Sequence, residues 1–163
     1  MITVKLPQLA MNVVLIEPLI PQNTGSIART CAATKTRLHL VGELGFDISE
    51  KAVRRAGLDY WPYVDLQVHV SWEAFLKAEN PAELWYFTKF ATRTYYDACY
   101  SKDTYLVFGS ETKGLGKAFL GQQPEEQQLY IPMDEPKVRS LNLSNAVSIA
   151  LYEARRQIHW RAV

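Results

Sequence analysis

An α/β fold, with a largely parallel sheet flanked by helices, is what this 163-residue sequence predicts. Three observations carry the prediction. Short apolar runs alternate with helix-like stretches along the chain, with no internal repeat, low-complexity tract or linker between them. The composition is that of an ordinary globular protein, 48% hydrophobic and 21% charged. Near the end, Leu143, Val147, Ala150, Leu151, Ala154 and Ile158 fall on one face of a 3.6-residue period, the clearest helix in the chain.

The elements follow in order. Asn12 to Ile16 reads as a buried strand, and a helix is expected from about Thr24 to Thr34. Leu38 to Val41 is a second strand. Ser49 is placed to cap a short helix through Arg55, with Gly57 just past its end. Val64, Leu66 and Val68 alternate with polar neighbours, as in a third strand. Ser71 caps a helix that stops near Asn80-Pro81. Leu84 to Thr88, Thr104 to Phe108 and Leu129 to Ile131 complete the strands. Ligands of such sheets bind beyond the carboxyl ends of the strands, so the loops after Ile16, Phe108 and Ile131 are the places to look.

Composition also excludes. The chain is too apolar to be disordered and too poor in cysteine to be a disulfide scaffold. With 18 basic and 17 acidic residues its net charge is +1, so a uniformly basic coat is ruled out while a local basic patch is not. The longest apolar run, Asn12 to Ile20, is broken by Glu17 and Pro18 and is too short for a bilayer. Met1 to Pro7 lacks the cationic start and apolar stretch of a signal peptide. Cys31 and Cys99 form no CxxC pair and are expected as free thiols in a reducing cytosol.

Three loops hold the candidate chemistry. Three of the eight glycines lie in Gly109-Ser110-Glu111-Thr112-Lys113-Gly114-Leu115-Gly116, straight after a strand. The spacing imitates a phosphate loop, but Leu115 and Gly116 stand where Lys and Ser or Thr are needed. That leaves a tight turn, or close backbone approach to a ligand without phosphates. The second loop runs from Ile131-Pro132-Met133 to Arg139-Ser140-Leu141-Asn142-Leu143-Ser144-Asn145, where Asn142 or Ser144 can cap the last helix. The third is Glu17-Pro18 with Pro21-Gln22-Asn23-Thr24-Gly25, followed by Arg29. Basic residues concentrate in 29–55, six against three acidic, and in 137–163, five against one, whereas 111–135 holds two lysines and five acids. Two basic segments suit an RNA contact surface. His39, His69 and His159 show neither triad nor metal spacing.

Taken together and in order, the loops resemble a known family. Asn23-x-Gly25-x-x-x-Arg29, Phe108-Gly109-x-Glu111-x-x-Gly114, and Ile131-Pro132-Met133 with Ser140-Leu141-Asn142-Leu143-Ser144-Asn145-Ala146 and Glu153 are similar to the three motifs of the SPOUT RNA 2′-O-methyltransferases. Glu17 to Gly25 and Arg54-Arg55-Ala56-Gly57-Leu58-Asp59-Tyr60 resemble the branch that modifies the tRNA wobble nucleotide, position 34, the TrmL/YibK type. The likeness runs from about Asn12 to Gln157.

The resemblance implies a C-terminal deep trefoil knot, S-adenosylmethionine as cofactor, a homodimer, cytoplasmic location and tRNA as substrate, with no metal needed. It implies an N-terminal extension over 1–11 and one methyltransferase domain over 12–163. Phe87, Gly109, Ile131, Met133, Ser140 and Leu141 are the implied cofactor residues. Arg29 is implied at the ribose and phosphate, with Arg139 as a second catalytic candidate. Asn23, Arg54 and Arg55 are the implied RNA contacts, with Arg54 and Arg55 of one chain meeting Arg29 of the other. The last helix is expected at the dimer interface. Three positions depart from the branch: Thr88-Lys89-Phe90-Ala91 replaces Thr-Thr-Lys-Gly, Ser110 replaces a proline, and the loop between Met133 and Ser140 is one residue longer. Two other readings stay open at this point: a 2′-O-methyltransferase for ribosomal RNA or another tRNA position, and a non-catalytic RNA-binding protein of the same fold.

Overall fold

The computed structural model describes residues 11–160. The expected N-terminal extension, Met11 apart, lies outside the described residues, as does Arg161. The elements are β1 (Asn12–Ile16), α1 (Pro21–Thr34), β2 (Arg37–Val41), α2 (Glu50–Arg55), β3 (Leu66–His69), α3 (Trp72–Glu79), β4 (Leu84–Phe87), β5 (Arg93–Thr94), β6 (Tyr105–Phe108), α4 (Lys117–Leu120), β7 (Gln128–Tyr130) and α5 (Leu143–Trp160). The strands form one sheet in the order β3-β2-β1-β6-β4-β7-β5, every pair parallel. The predicted parallel α/β architecture is therefore the observed one.

Period-2 alternation distributes the core over two layers. Val13, Leu15, Leu38, Leu40, Leu106 and Phe108 pack with Ile27, Ala28 and Cys31 of α1 and Val147, Ala150, Leu151 and Ala154 of α5. Val14, Val41, Tyr86, Tyr105 and Val107 pack on the other face with Phe75 of α3 and Leu120 of α4. Burial in the first layer pushes the Cys31 thiol up to about 12.

Caps behave as their residue types dictate. Ser49 Oγ accepts from the Ala52 N–H at 3.3 Å, and Ser71 Oγ from the Ala74 N–H at 3.1 Å. Helix α3 ends on Asn80 in the left-handed region. Helix α1 starts at Pro21, three residues before the expected Thr24, because proline has the right φ for a first helical position and no N–H to satisfy. β3 begins at Leu66 rather than Val64, since 61–63 close a 3₁₀ turn first. The two-residue β5 and the single-turn α4 are too short to leave a periodic signal.

Two of the three histidines form a polar chain inside the sheet edge. His39 Nε2–H donates to Asn12 Oδ1 at 3.0 Å, which leaves Nδ1 to accept from His69 Nε2–H at 3.1 Å. The ring centroids are 5.4 Å apart, so the facing nitrogens lie on the line between the rings. Glu79 Oε1 lies 4.0 Å from His39 Nδ1 and 3.9 Å from His69 Nε2, and the hydrogen bond between the histidines engages the Nδ1 lone pair. Burial first, and then His69 beside it, pushes His39 down to about 3, so it is neutral.

Candidate active site

β1 is the strand at which the sheet order turns: β2 and β3 lie on one side, β6, β4 and β7 on the other. Such switch points leave a crevice at the carboxyl ends of the strands. The loops after β1 and β6 meet there. The Glu111 carboxylate accepts from the backbone N–H of Leu19 at 2.8 Å and of Ile20 at 3.0 Å, and from Asn23 Nδ2 at 3.3 Å. It thus supplies negative charge to the start of α1, whose own N-cap, Ile20, has no side-chain acceptor. Partial burial works to raise the Glu111 pKa. The donated N–H groups of Leu19, Glu111 itself and Ile20, with Asn23, outweigh that and hold it below the usual carboxyl range.

The third loop joins the same junction. Asn142 Nδ2 donates to Asn23 Oδ1 at 3.0 Å, while Asn142 Oδ1 caps α5 by accepting from the N–H groups of Ser144 and Asn145. Asn23 is therefore held from both ends, giving to Glu111 and receiving from Asn142. All three sequence motifs are fastened at one point by side-chain hydrogen bonds.

Beside this junction lie the expected cofactor positions. β6, β4 and β7 are consecutive in the sheet; Phe87 ends β4, and Gly109 and Ile131 directly follow β6 and β7. Phe87 stacks on Phe108, centroids 4.6 Å apart and planes within 13°. The Thr88 N–H donates to Leu129 O at 2.9 Å, which fixes the first residue of the departing Thr88–Ala91 turn. Met133, Ser140 and Leu141 lie in the connection from β7 to α5, which is tied down at Asn142.

Of the two readings of glycine at 109, a tight turn or close ligand approach, the loop's own geometry already requires the first. A Cβ there would sit 1.9 Å from Gly114 C and 2.1 Å from Gly114 O. The loop closes on itself through Ser110 N–H to Gly114 O at 3.2 Å and Gly114 N–H to Ser110 O at 2.9 Å, and Gly109 is the residue over which it closes. Gly114 and Gly116 are the pair at positive φ.

Arg29 stands on the exposed side of α1, its guanidinium 5.8 Å from the centre of the Tyr60 ring. Tyr60 is itself anchored, its hydroxyl donating to Gly25 O at 2.7 Å. Between them, α1 and the 46–61 segment enclose a cleft of about 590 Å³ whose wall includes Thr24, Arg29, Tyr60 and Trp61. Arg54 lines a separate hollow on the other side of Trp61, and Arg55 is exposed on α2. Arg139 is exposed in the loop before Ser140. The structure thus brings Asn23 into the junction and Arg29 to a neighbouring cleft, and leaves Arg54, Arg55 and Arg139 as outward-facing cations within one chain. Glu111, Asn142, Tyr60 and Thr24 emerge as parts of the site that the sequence singled out only as members of motifs.

The sequence pattern of the SpoU rRNA Methylase family matches residues 10–152. The chain belongs to the SpoU methylase family. Among SpoU relatives, the tRNA (cytidine(34)-2′-O)-methyltransferase of Escherichia coli K12 is 47% identical over 148 residues, covering 91% of this chain and 94% of that protein. A solved structure described as giving insights into the 2-OH methylation of C/U34 on tRNA superposes with a TM-score of 0.84 at 45% identity, covering 93% of this chain and 97% of its own. The SpoU methyltransferase AviRb of Streptomyces viridochromogenes, solved in complex with the cofactor AdoMet, has a TM-score of 0.73 at 27% identity, over 94% of this chain and 62% of AviRb.

Proposed function

We propose that the protein transfers a methyl group from S-adenosylmethionine to the ribose 2′-oxygen of nucleotide 34, a cytidine or modified uridine, in the anticodon loop of tRNA. The observation that carries this reading is the Asn142–Asn23–Glu111 junction, which fastens the three motif loops together at the carboxyl end of the sheet, next to Arg29. The 47% identity to the Escherichia coli enzyme over nearly the whole chain supports position 34 over ribosomal RNA or another tRNA site.

The residues at the ends of β4, β6 and β7 suit this cofactor. Adenosylmethionine carries no phosphates, and the strand ends offer an apolar floor, Phe87 on Phe108 with half-buried Ile131, beside loop backbone. Phe87, Gly109, Ile131, Met133, Ser140 and Leu141 would hold it. When bound it supplies an electrophilic methyl on sulfonium. The new C–O bond forms as the C–S bond breaks, and the 2′-hydroxyl proton leaves to solvent. A guanidinium keeps its proton in proteins, so Arg29 is not the base. It orients the neighbouring phosphate and stabilises negative charge growing on the 2′-oxygen. Arg139 contacts a second phosphate. The chemistry calls on no metal.

The same reading takes the protein as a cytoplasmic homodimer made of one methyltransferase domain. The core consumes the α5 face from Leu143 to Ile158, but Ile149 at 38% and Tyr152 at 55% exposure remain on another face of the helix and suit a second copy. Arg54 and Arg55 of one subunit then complete the RNA surface around Arg29 of the other. The reading also places a trefoil knot in the C-terminal part, on the strength of membership of the SpoU family.

Mapping 2′-O-methylated nucleotides by mass spectrometry, in tRNA incubated with protein and adenosylmethionine, tests the reading. A new methyl on the ribose of nucleotide 34 is expected. A methyl elsewhere overturns the position, and none on any RNA overturns the activity.

A further inference from the structure

The cleft between α1 and the 46–61 segment is backed by side chains that pack on the core, Ile48, Tyr60 and Trp61, so its shape is set by the fold. Its volume, about 590 Å³, lies within the 300–1,000 Å³ range of small-ligand sites. Phe46, Ile48, Tyr60 and Trp61 give it an apolar and aromatic wall, and Arg29 stands on it as the cation. Tyr60 cannot swing away freely, because its hydroxyl is bonded to Gly25 O.

One polar group in that wall is unexplained by the fold. Thr24 is 1% exposed, and its Oγ1 has no hydrogen-bond partner among the described residues. A buried hydroxyl without a partner is costly, and in native proteins such groups are few. Valine has the same shape and would remove the cost. Thr24 lines the cleft, and a ligand's polar edge that reaches its buried Oγ1 would satisfy it.

We propose that this cleft receives the base of the nucleotide whose ribose is methylated, stacked against the Tyr60–Trp61 wall and hydrogen-bonded by Thr24 Oγ1. The inference rests on the reading that the substrate is an RNA ribose. Its chemistry follows from that substrate. A ribose in a folded loop is reached by splaying its nucleotide out of the stack, and unpaired bases are held on aromatic faces with their edges hydrogen-bonded. Arg29, which lines the same cleft 5.8 Å from the Tyr60 ring centre, is then beside the base, at the side from which the ribose and phosphate of that nucleotide would extend.

The test pairs protein variants with an abasic RNA. An anticodon stem–loop RNA is made with its natural base, and again with an abasic ribonucleotide, 2′-hydroxyl intact, at the nucleotide the wild type methylates. Dissociation constants are measured for wild type, Thr24→Val and Trp61→Ala. Wild type is expected to lose roughly tenfold or more on the abasic RNA, the scale of one base–aromatic stack. Both variants should weaken on the natural RNA and bind the abasic RNA as wild type does. Thr24→Val guards against a folding defect, because its melting temperature should equal or exceed that of wild type. If the variants weaken both RNAs equally, or neither, the cleft is not the base site. A shift in the subunit dissociation constant of Trp61→Ala with no RNA coupling would assign the cleft to a second copy and equally overturn the inference. Methyl mapping of the same reaction separates the two claims. A methylated ribose without coupling removes the pocket and keeps the activity, and no methyl on the RNA removes both.

Discussion

The side-chain amide of Asn142 donates to the side-chain carbonyl of Asn23 at 3.0 Å, across 119 positions of sequence. The opposite end of each amide is also engaged: Asn142 Oδ1 caps α5, and Asn23 Nδ2 reaches the Glu111 carboxylate. One asparagine therefore has two separable jobs. Asn142→Asp keeps an N-cap acceptor but loses the donor to Asn23. It should retain most of the stability while lowering methyl transfer. Asn142→Ala loses both jobs and should also destabilise the fold by about 1–2 kcal/mol, the scale of a lost cap with its hydrogen bond. Thermal unfolding alongside turnover separates the two variants.

Arg29→Ala should leave adenosylmethionine affinity near wild type and lower turnover by about 100-fold or more, as loss of a positioned electrostatic group does. Calorimetry and single-turnover assays with saturating tRNA check both halves. Wild-type turnover would remove Arg29 from the mechanism.

Gly109→Ala tests the loop closure. The added Cβ falls on the Gly114 carbonyl group, backbone that cannot step aside without opening the 110–114 turn. Cofactor affinity should drop although no side chain enters the cofactor's own space, and the unfolding midpoint should drop with it. Calorimetry on the folded variant reads the first effect and denaturant unfolding the second.

His39 predicts an acid sensitivity of defined sign. Its folded pKa of about 3 is below the ordinary 6.5, so between those values the unfolded chain binds a proton that the folded chain refuses. Stability is therefore lost as the pH falls from about 6.5 towards 3. His39→Gln, which carries no such proton, should show a flatter loss over that window. Urea midpoints at a series of pH values are the measurement, and parallel curves would contradict the assignment.

The proposed sharing of the RNA surface between two subunits makes a complementation experiment decisive. Arg29→Ala and the double variant Arg54→Glu/Arg55→Glu should each be inactive as homodimers, and the double variant should also show a weaker salt dependence of tRNA binding. Mixing them under subunit exchange should restore activity, since one of the two sites in the heterodimer is then wild type. Verified heterodimers without recovered activity would place a complete site within each chain.

Much of this architecture could be read from residue order because its signals are local. The apolar runs at Val13–Ile16 and Leu106–Phe108, the caps Ser49 and Ser71, and the period of α5 are each decided within a few residues. The sheet order is another matter: nothing near Asn12 says that its neighbours are Arg37 on one side and Tyr105 on the other. The site divides the same way. Asn23, Glu111 and Asn142 were visible as motif members, but that they bond to one another is a property of the closed fold. Gly109 is legible as a position that needs a missing side chain, but that its own loop meets it there, at Gly114, is again a property of the closed fold. Thr24 is legible only as a motif member at a helix start, since a threonine in a helix's first turn is unremarkable until its hydroxyl is found without a partner.

The position of β1 in the interior of the sheet, between β2 and β6, also bears on how the chain comes into being. β1 is made first, yet the β6 strand that flanks it begins at Tyr105, and Asn12 N–H must wait for Thr104 O. At roughly 5–20 residues per second, the 92 positions between Asn12 and Thr104 take about 5 to 20 seconds to emerge from a ribosome. For that interval β1 can pair with β2 but exposes its other edge, a row of unpaired N–H and C=O groups on the apolar run Val13-Val14-Leu15-Ile16. The nascent chain thus passes through a stage with an open, sticky edge that only the later half of the protein can close, and slow synthesis or a truncated message would leave it there.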